Sequence, residues 1–63
     1  MNTLNATRKA KGMTQVELAA KSGIDQTTIS GLEVSQDRVP SWPTVAKLAK
    51  ALRVKPEALF PVE

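Results

Sequence analysis

The residues that decide the fold are 14–33, which read TQVELAAKSGIDQTTISGLE. Thr14 and Glu17 have the spacing of a capping box, in which the side chain of each residue binds the backbone amide of the other. Gly23 is suited to the left-handed turn that ends a helix, and Asp25 is suited to the start of the next one. The stretch therefore predicts two short helices, separated by a turn at residues 22–25.

The turn at residues 22–25 is too tight for the two helices to lie side by side. They must cross at a steep angle, which predicts a helix-turn-helix over about residues 15–33. The crossing requires a small residue where the helices touch, and Ala19 meets this requirement. It also requires apolar side chains between the helices, which are supplied by Leu18, Ile24, Ile29 and Leu32.

The rest of the chain predicts three further helices and no strand, because apolar residues recur every three or four positions. The first helix is expected over about residues 2–11 and stops at Gly12. A fourth helix is capped by Ser41 and carries Pro43 in its first turn, where proline is tolerated. A fifth helix begins at Pro56. We expect an all-α fold of five helices, with all 63 residues in a single domain.

The composition argues against catalysis and metal binding. The chain has 63 residues with no cysteine and no histidine, so the commonest metal ligand and general base are missing. No apolar run is long enough to span a membrane, and the N-terminus lacks the layout of a secretion signal. The net charge of +3 favours an anionic partner. We expect a cytoplasmic binding protein with no catalytic residue, cofactor, metal or small-molecule ligand.

Residues 12–24, GMTQVELAAKSGI, resemble the helix-turn-helix entry of phage repressor and Cro-type (Xre-like) DNA-binding domains. Further similarity lies at residues 28–33, 40–41, 48–54 and 57–60. The resemblance covers about residues 4–60. It implies a compact five-helix, lambda-repressor-like DNA-binding domain whose third helix lies in the DNA major groove.

The resemblance carries the base-reading positions of the family onto the third helix, at Gln26, Thr27, Ser30 and Gly31. The amide of Gln26 is able to pair with N6 and N7 of adenine. Thr27 supplies either a hydroxyl group or a methyl group that contacts the methyl of thymine, and Ser30 is the remaining polar candidate one turn later. Gly31 departs from the long polar or basic side chain that is common in the family, so either the backbone approaches the DNA closely at this point or specificity relies on fewer base contacts. The alternative interpretation is that this polar face is only solvated.

Phosphate contacts are expected at the start of the second helix and around the loop after the third helix. The residues are Thr14, Gln15, Ser35, Gln36, Arg38 and Ser41. Such contacts would fix the register and orientation of the protein on DNA without reading sequence.

Two further assignments concern structure rather than recognition. The resemblance implies that Arg8 and Glu33 form an ion pair between the first helix and the end of the third. Trp42 is either an anchor in an interface or a residue at the edge of the core that covers the third helix.

A single third helix spans only a few base pairs, so we expect a homodimer that places two copies about 34 Å apart on double-stranded DNA. The predicted interface is the apolar C-terminal end, formed by Leu59, Phe60, Pro61 and Val62. The alternative is that Leu59 and Phe60 complete the core. These features predict a transcriptional repressor of a palindromic operator. The alternative function is a helix-turn-helix module that binds another protein, such as an antitoxin subunit.

Overall fold

The computed structural model describes residues 2–35 and 40–60. Within these residues the chain forms five helices and no strand: α1 Leu4–Ala10, α2 Gln15–Ser22, α3 Gln26–Val34, α4 Trp42–Leu52 and α5 Pro56–Leu59. The predicted all-α fold is confirmed. None of these helices is long and apolar enough to cross a membrane.

The start and the end of α2 follow the local sequence. The Glu17 N–H donates to the Thr14 hydroxyl at 3.1 Å, and the Thr14 N–H donates to the Glu17 carboxylate at 3.2 Å, so the predicted capping box is present. Gly23 has a φ of 74° and its N–H donates to the Ala19 carbonyl at 2.9 Å. Glycine meets no steric penalty in this left-handed conformation, which is why α2 ends there.

The other two predicted caps are corrected by the structure. Asp25 and Ser41 occupy the N-cap positions of α3 and α4, but neither side chain makes a capping hydrogen bond. The Ser41 hydroxyl instead lies 3.3 Å from the hydroxyl of Thr44. The exposed Asp25 carboxylate stays near the positive end of α3, where its charge is favourable without a hydrogen bond.

The core lies where α2 packs against both α3 and α4. Leu18, Ile29 and Leu32 are fully buried, and Ala19 and Ile24 are partly buried against them. These five residues were predicted to fill the crossing of α2 and α3. Further buried apolar residues come from all the other helices and from the residue after α5: Leu4, Val45, Leu48, Ala49, Leu52, Leu59 and Phe60.

The C-terminal part of this core corrects the expected dimer interface. Leu59 is 0% exposed and Phe60 is 5% exposed within one chain, so both side chains complete the core instead of facing a second subunit. The reason is that α5 packs against α4 and closes the apolar face of that helix. The other two residues of the predicted interface, Pro61 and Val62, lie outside the described residues.

The residues before α1 are held to two distant parts of the chain. The Asn2 side-chain amide donates to the Leu32 carbonyl at 3.0 Å, and the Thr3 N–H donates to the Leu59 carbonyl at 3.0 Å. The Asn2 side-chain oxygen accepts from the Leu4 N–H at 3.1 Å. These bonds explain why α1 begins at Leu4 and not at the predicted Asn2.

The end of α4 has a left-handed residue that is not glycine. Arg53 has a φ of 58°, and the Val54 N–H donates back to the Ala49 carbonyl at 3.0 Å, which closes the last turn. An L-amino acid with a side chain loses roughly 1–2 kcal/mol in this conformation. By contrast, glycine fills the left-handed positions that follow α1 and α2, at Gly12 and Gly23.

We expect Gly23→Ala to lower the free energy of unfolding by about 1 kcal/mol, as measured by chemical denaturation. A Cβ atom added at Gly23 would have no neighbour within 4 Å, so the loss would come from the backbone conformation and not from a clash. Arg53→Gly is the matched control, for which the free energy of unfolding should change in the opposite direction. It should rise by up to about 1 kcal/mol. Equal stability of all three proteins would contradict this account of the helix ends.

Candidate nucleic-acid interface

The helix α3 has one buried face and one exposed face. Ile29, Leu32 and Glu33 point into the protein. Gln26 and Thr27 are exposed at the start of the helix, whereas Ser30 and Gly31 are half-buried at the edge of the exposed face. The four base-reading positions expected from the sequence therefore lie along the first two turns of α3, on or beside its outward side.

Val34 is a further exposed residue of α3 that the sequence did not predict as part of this face. It lies seven residues after Thr27, which is two helical turns, so both residues belong to the same face of α3. Its side chain is 79% exposed. An exposed aliphatic side chain on this face offers an apolar contact of the kind made with a thymine methyl group. The spacing of seven residues from Thr27 is the feature of the sequence that places Val34 on this face. An apolar residue at the end of a helix is, however, more readily assigned to the core.

The inward face of α3 ends in a buried ion pair. Arg8 Nε lies 2.7 Å from Glu33 Oε2, and Arg8 Nη2 donates to Glu33 Oε1 at 3.0 Å. Arg8 Nη1 also donates to the Met13 carbonyl at 2.7 Å, in the segment that leads to α2. This bidentate ion pair joins α1 to the end of α3, as the family resemblance implied.

Two amides complete the shell of Glu33. The side chain of Asn5 donates to Oε1 at 2.7 Å, and that of Gln15 donates to the same oxygen at 3.1 Å. Glu33 thus holds α1, the first residue of α2 and the end of α3 together. The sequence does not predict either amide contact, because Glu33 lies 28 residues from Asn5 and 18 residues from Gln15 and no local pattern links them.

The partners of Glu33 also determine its protonation. Burial alone would raise the pKa of this carboxyl, but the hydrogen bonds from Arg8, Asn5 and Gln15, with the charge of Arg8, lower it from 4.5 to about 2. Glu33 is therefore ionised at neutral pH. It presents no negative charge to a ligand of α3, because its side chain is buried and paired.

The residues expected at phosphates are distributed around α3. Thr14 is exposed and Gln15 is half-buried at the start of α2, whose first amides precede the first helical hydrogen bond. Ser35 and Ser41 are exposed. Gln36 and Arg38 lie outside the described residues. Trp42 is 67% exposed, so of its two alternatives the one at the edge of the core is wrong.

A protein-family model described as helix-turn-helix matches residues 4–59, from the first residue of α1 to the last residue of α5. The chain belongs to the Xre/lambda Cro-like helix-turn-helix family. This family binds DNA, and the chain is a DNA-binding helix-turn-helix regulator. Comparison with individual curated proteins returns no match.

We expect the stability of the protein to fall steeply when the pH drops from about 4.5 to about 2. A carboxyl whose pKa is lower in the folded protein than in the unfolded protein stabilises the fold fully at a pH above the unfolded-state pKa. This stabilisation is lost as the pH falls through the folded-state pKa. The pKa difference corresponds to about 3 kcal/mol for Glu33. Denaturation curves recorded at several pH values within this window will measure it.

Glu33→Gln is the control for this pH dependence. It should remove most of the loss below pH 4.5 and should destabilise the protein at pH 7 by about 3–5 kcal/mol, because Arg8 stays buried without a counter-charge. The double variant Arg8→Met/Glu33→Gln should recover part of that loss. An unchanged acid profile in Glu33→Gln would contradict the assigned role of this carboxylate.

Proposed function

We propose that the protein is a sequence-specific transcriptional repressor of the cytoplasm. It binds a palindromic operator as a homodimer, with α3 of each copy in the major groove, and bound protein blocks access of RNA polymerase. The observation that carries the proposal is the exposed polar face at the start of α3. The opposite face of the same helix is buried and is held by the contacts of Glu33.

The chemistry of the exposed face supports base reading. Gln26 offers a donor and an acceptor in one plane, which suits the edge of adenine. Thr27 and Ser30 add hydroxyl groups, and Thr27 and Val34 add methyl groups for thymine. Gly31 contributes no side chain, so its role would be to let the backbone approach the DNA closely.

The anchoring of α3 supports specificity. Direct readout requires that the helix keep its position to a fraction of an ångström relative to its phosphate contacts. Glu33 binds the side chain of Gln15 at the start of α2, where the helix amides face an anion. The base-reading helix and the proposed phosphate site at Thr14 and Gln15 are therefore connected through a single buried carboxylate.

The homodimer is supported by the small size of the recognition surface. One α3 helix reaches only a few base pairs, and two copies double both the base contacts and the phosphate contacts. With Leu59 and Phe60 in the core, we propose that the contact between copies involves the C-terminal residues Pro61 and Val62. The 67% exposed indole of Trp42 offers a second apolar surface for the same purpose.

Gln26→Ala and Thr27→Ala are each expected to lower affinity for a selected operator about tenfold, with little change for random DNA. The reason is that base contacts contribute to discrimination whereas phosphate contacts do not. Fluorescence anisotropy against an operator obtained by in-vitro selection, and against a shuffled duplex, will measure both.

Lys11→Gln is the matched control for these two variants. Lys11 is an exposed cation three residues before Thr14, beside the proposed phosphate site and outside α3, so its loss should weaken binding to both duplexes equally and reduce the salt dependence. The groove-reading proposal is wrong if the variants at Gln26 and Thr27 keep both the affinity and the sequence preference of the parent.

The homodimer predicts a strict dependence on the spacing of the operator halves. Adding half a helical turn of DNA between them should greatly weaken binding, because the two copies would then face opposite sides of the duplex. Adding a full turn should weaken it less, since both copies return to one side. Equal affinity for all three spacings, with one chain per duplex in sedimentation, would rule out cooperative binding by two copies.

A further inference from the structure

A basic groove lies between the C-terminal end of α2 and the C-terminal half of α4. It has a volume of about 450 Å³ and is lined by Lys21, Ser22, Lys47, Lys50, Ala51 and Arg53. Every ionisable residue among these six is basic. We call this feature the α2–α4 groove.

The basic residues of the groove account for the positive sign of the net charge. The chain has nine basic and six acidic residues, and four of the nine basic residues line the α2–α4 groove. Without these four, the remaining five basic and six acidic residues would give a net charge of −1. The groove is also at the opposite end of α2 from Thr14 and Gln15, the residues proposed to meet DNA phosphates.

One of the positive charges in the groove is not explained by the preference of the helix itself. Lys47 and Lys50 are three residues apart in α4, so they are neighbours on one face of the helix and repel each other, and Arg53 follows directly after the helix. The helix dipole favours Lys50 in the last turn and Arg53 just after it, but Lys47 lies in the middle of α4. Arg53 also adopts the left-handed conformation that Gly12 and Gly23 adopt elsewhere. The helix dipole therefore does not explain Lys47, whereas an anionic ligand would explain all three cations.

The surroundings of the cations indicate the class of that ligand. The α2–α4 groove lies at the end of α2 and beside the end of α4, and helix C-termini present carbonyl oxygens and negative dipole ends. A DNA backbone carries acceptors, which favour the N–H groups of helix N-termini. A polypeptide with acidic side chains brings carboxylates for the lysines and N–H donors for the carbonyls.

We propose that the α2–α4 groove binds an acidic segment of a partner protein, whose Asp and Glu carboxylates pair with Lys47, Lys50 and Arg53. The site is separate from the DNA-reading face and gives the regulator a contact to a second protein.

The probe is a fluorescein-labelled peptide of repeated Glu-Asp-Gly triplets, compared with its neutral Gln-Asn-Gly counterpart. The fluorescence anisotropy of the acidic peptide should rise when the full chain is added, whereas that of the neutral peptide should not. Lys47→Gln/Lys50→Gln should weaken this binding about five- to tenfold, since two charge pairs at the rim of a groove are lost. Lys47→Arg/Lys50→Arg keeps the charge and should retain the binding.

Lys9→Gln/Lys11→Gln is the charge-matched control, because it removes two exposed lysines from outside the groove. It should change affinity for the peptide less than about twofold, whereas a general attraction of net charge would lower it as much as the groove variant does. An equal loss in both double variants overturns the proposal, as does equal binding of the neutral peptide. Amide chemical shifts should move at Lys21, Ser22 and the C-terminal half of α4, and shifts confined to other residues overturn it too.

A duplex DNA titration of the same proteins separates the two kinds of macromolecule. The groove variant should keep its affinity for duplex DNA within about twofold, since lost phosphate contacts are what weaken binding to DNA. If it loses DNA affinity as strongly as peptide affinity, the groove is part of the nucleic-acid surface and the proposal is wrong. All variants should unfold at the same midpoint temperature as the parent protein. The differences in affinity then arise from the substituted side chains and not from a loss of folding.

Discussion

The buried carboxylate of Glu33 is the interaction on which the rest of the structure depends. It accepts hydrogen bonds from Arg8, Asn5 and Gln15 and so connects α1, α2 and α3 at one point. A small domain has little apolar area to bury, so the relative positions of its helices are weakly fixed by packing alone. A buried ion pair adds little net stability over an apolar contact, but its geometry is demanding. Its main contribution is to fix where α3 lies.

The sequence predicts best what is local. The capping box of Thr14 and Glu17 and the left-handed Gly23 involve residues at most four apart, and both are present in the structure. The apolar residues at the crossing of α2 and α3 were also identified, because the tight turn at 22–25 leaves only one way to bury them. The same local reasoning fails for Asp25 and Ser41, whose side chains fit a cap by type but do not form one.

What the sequence does not predict depends on distant partners. The amides of Asn5 and Gln15 meet Glu33 across many residues, and nothing near them in the chain indicates it. Leu59 and Phe60 illustrate a different difficulty, because an apolar residue late in a short chain is equally suited to a core and to an interface. Only the position of α5 against α4 decides between the two. Charge is a similar case. The net charge of +3 suggests nucleic acid, yet four of the cations that produce it meet in the α2–α4 groove.

The two faces of α3 separate what keeps the protein folded from what a ligand would touch. Ile29, Leu32 and Glu33 are constrained by their buried contacts, whereas Gln26 and Thr27 are exposed at the start of the same helix. Substitutions at exposed positions usually change stability by less than about 0.5 kcal/mol. Gln26 and Thr27 can therefore be substituted while the fold stays stable. A duplicated gene for such a protein could acquire a different target without first passing through an unstable intermediate.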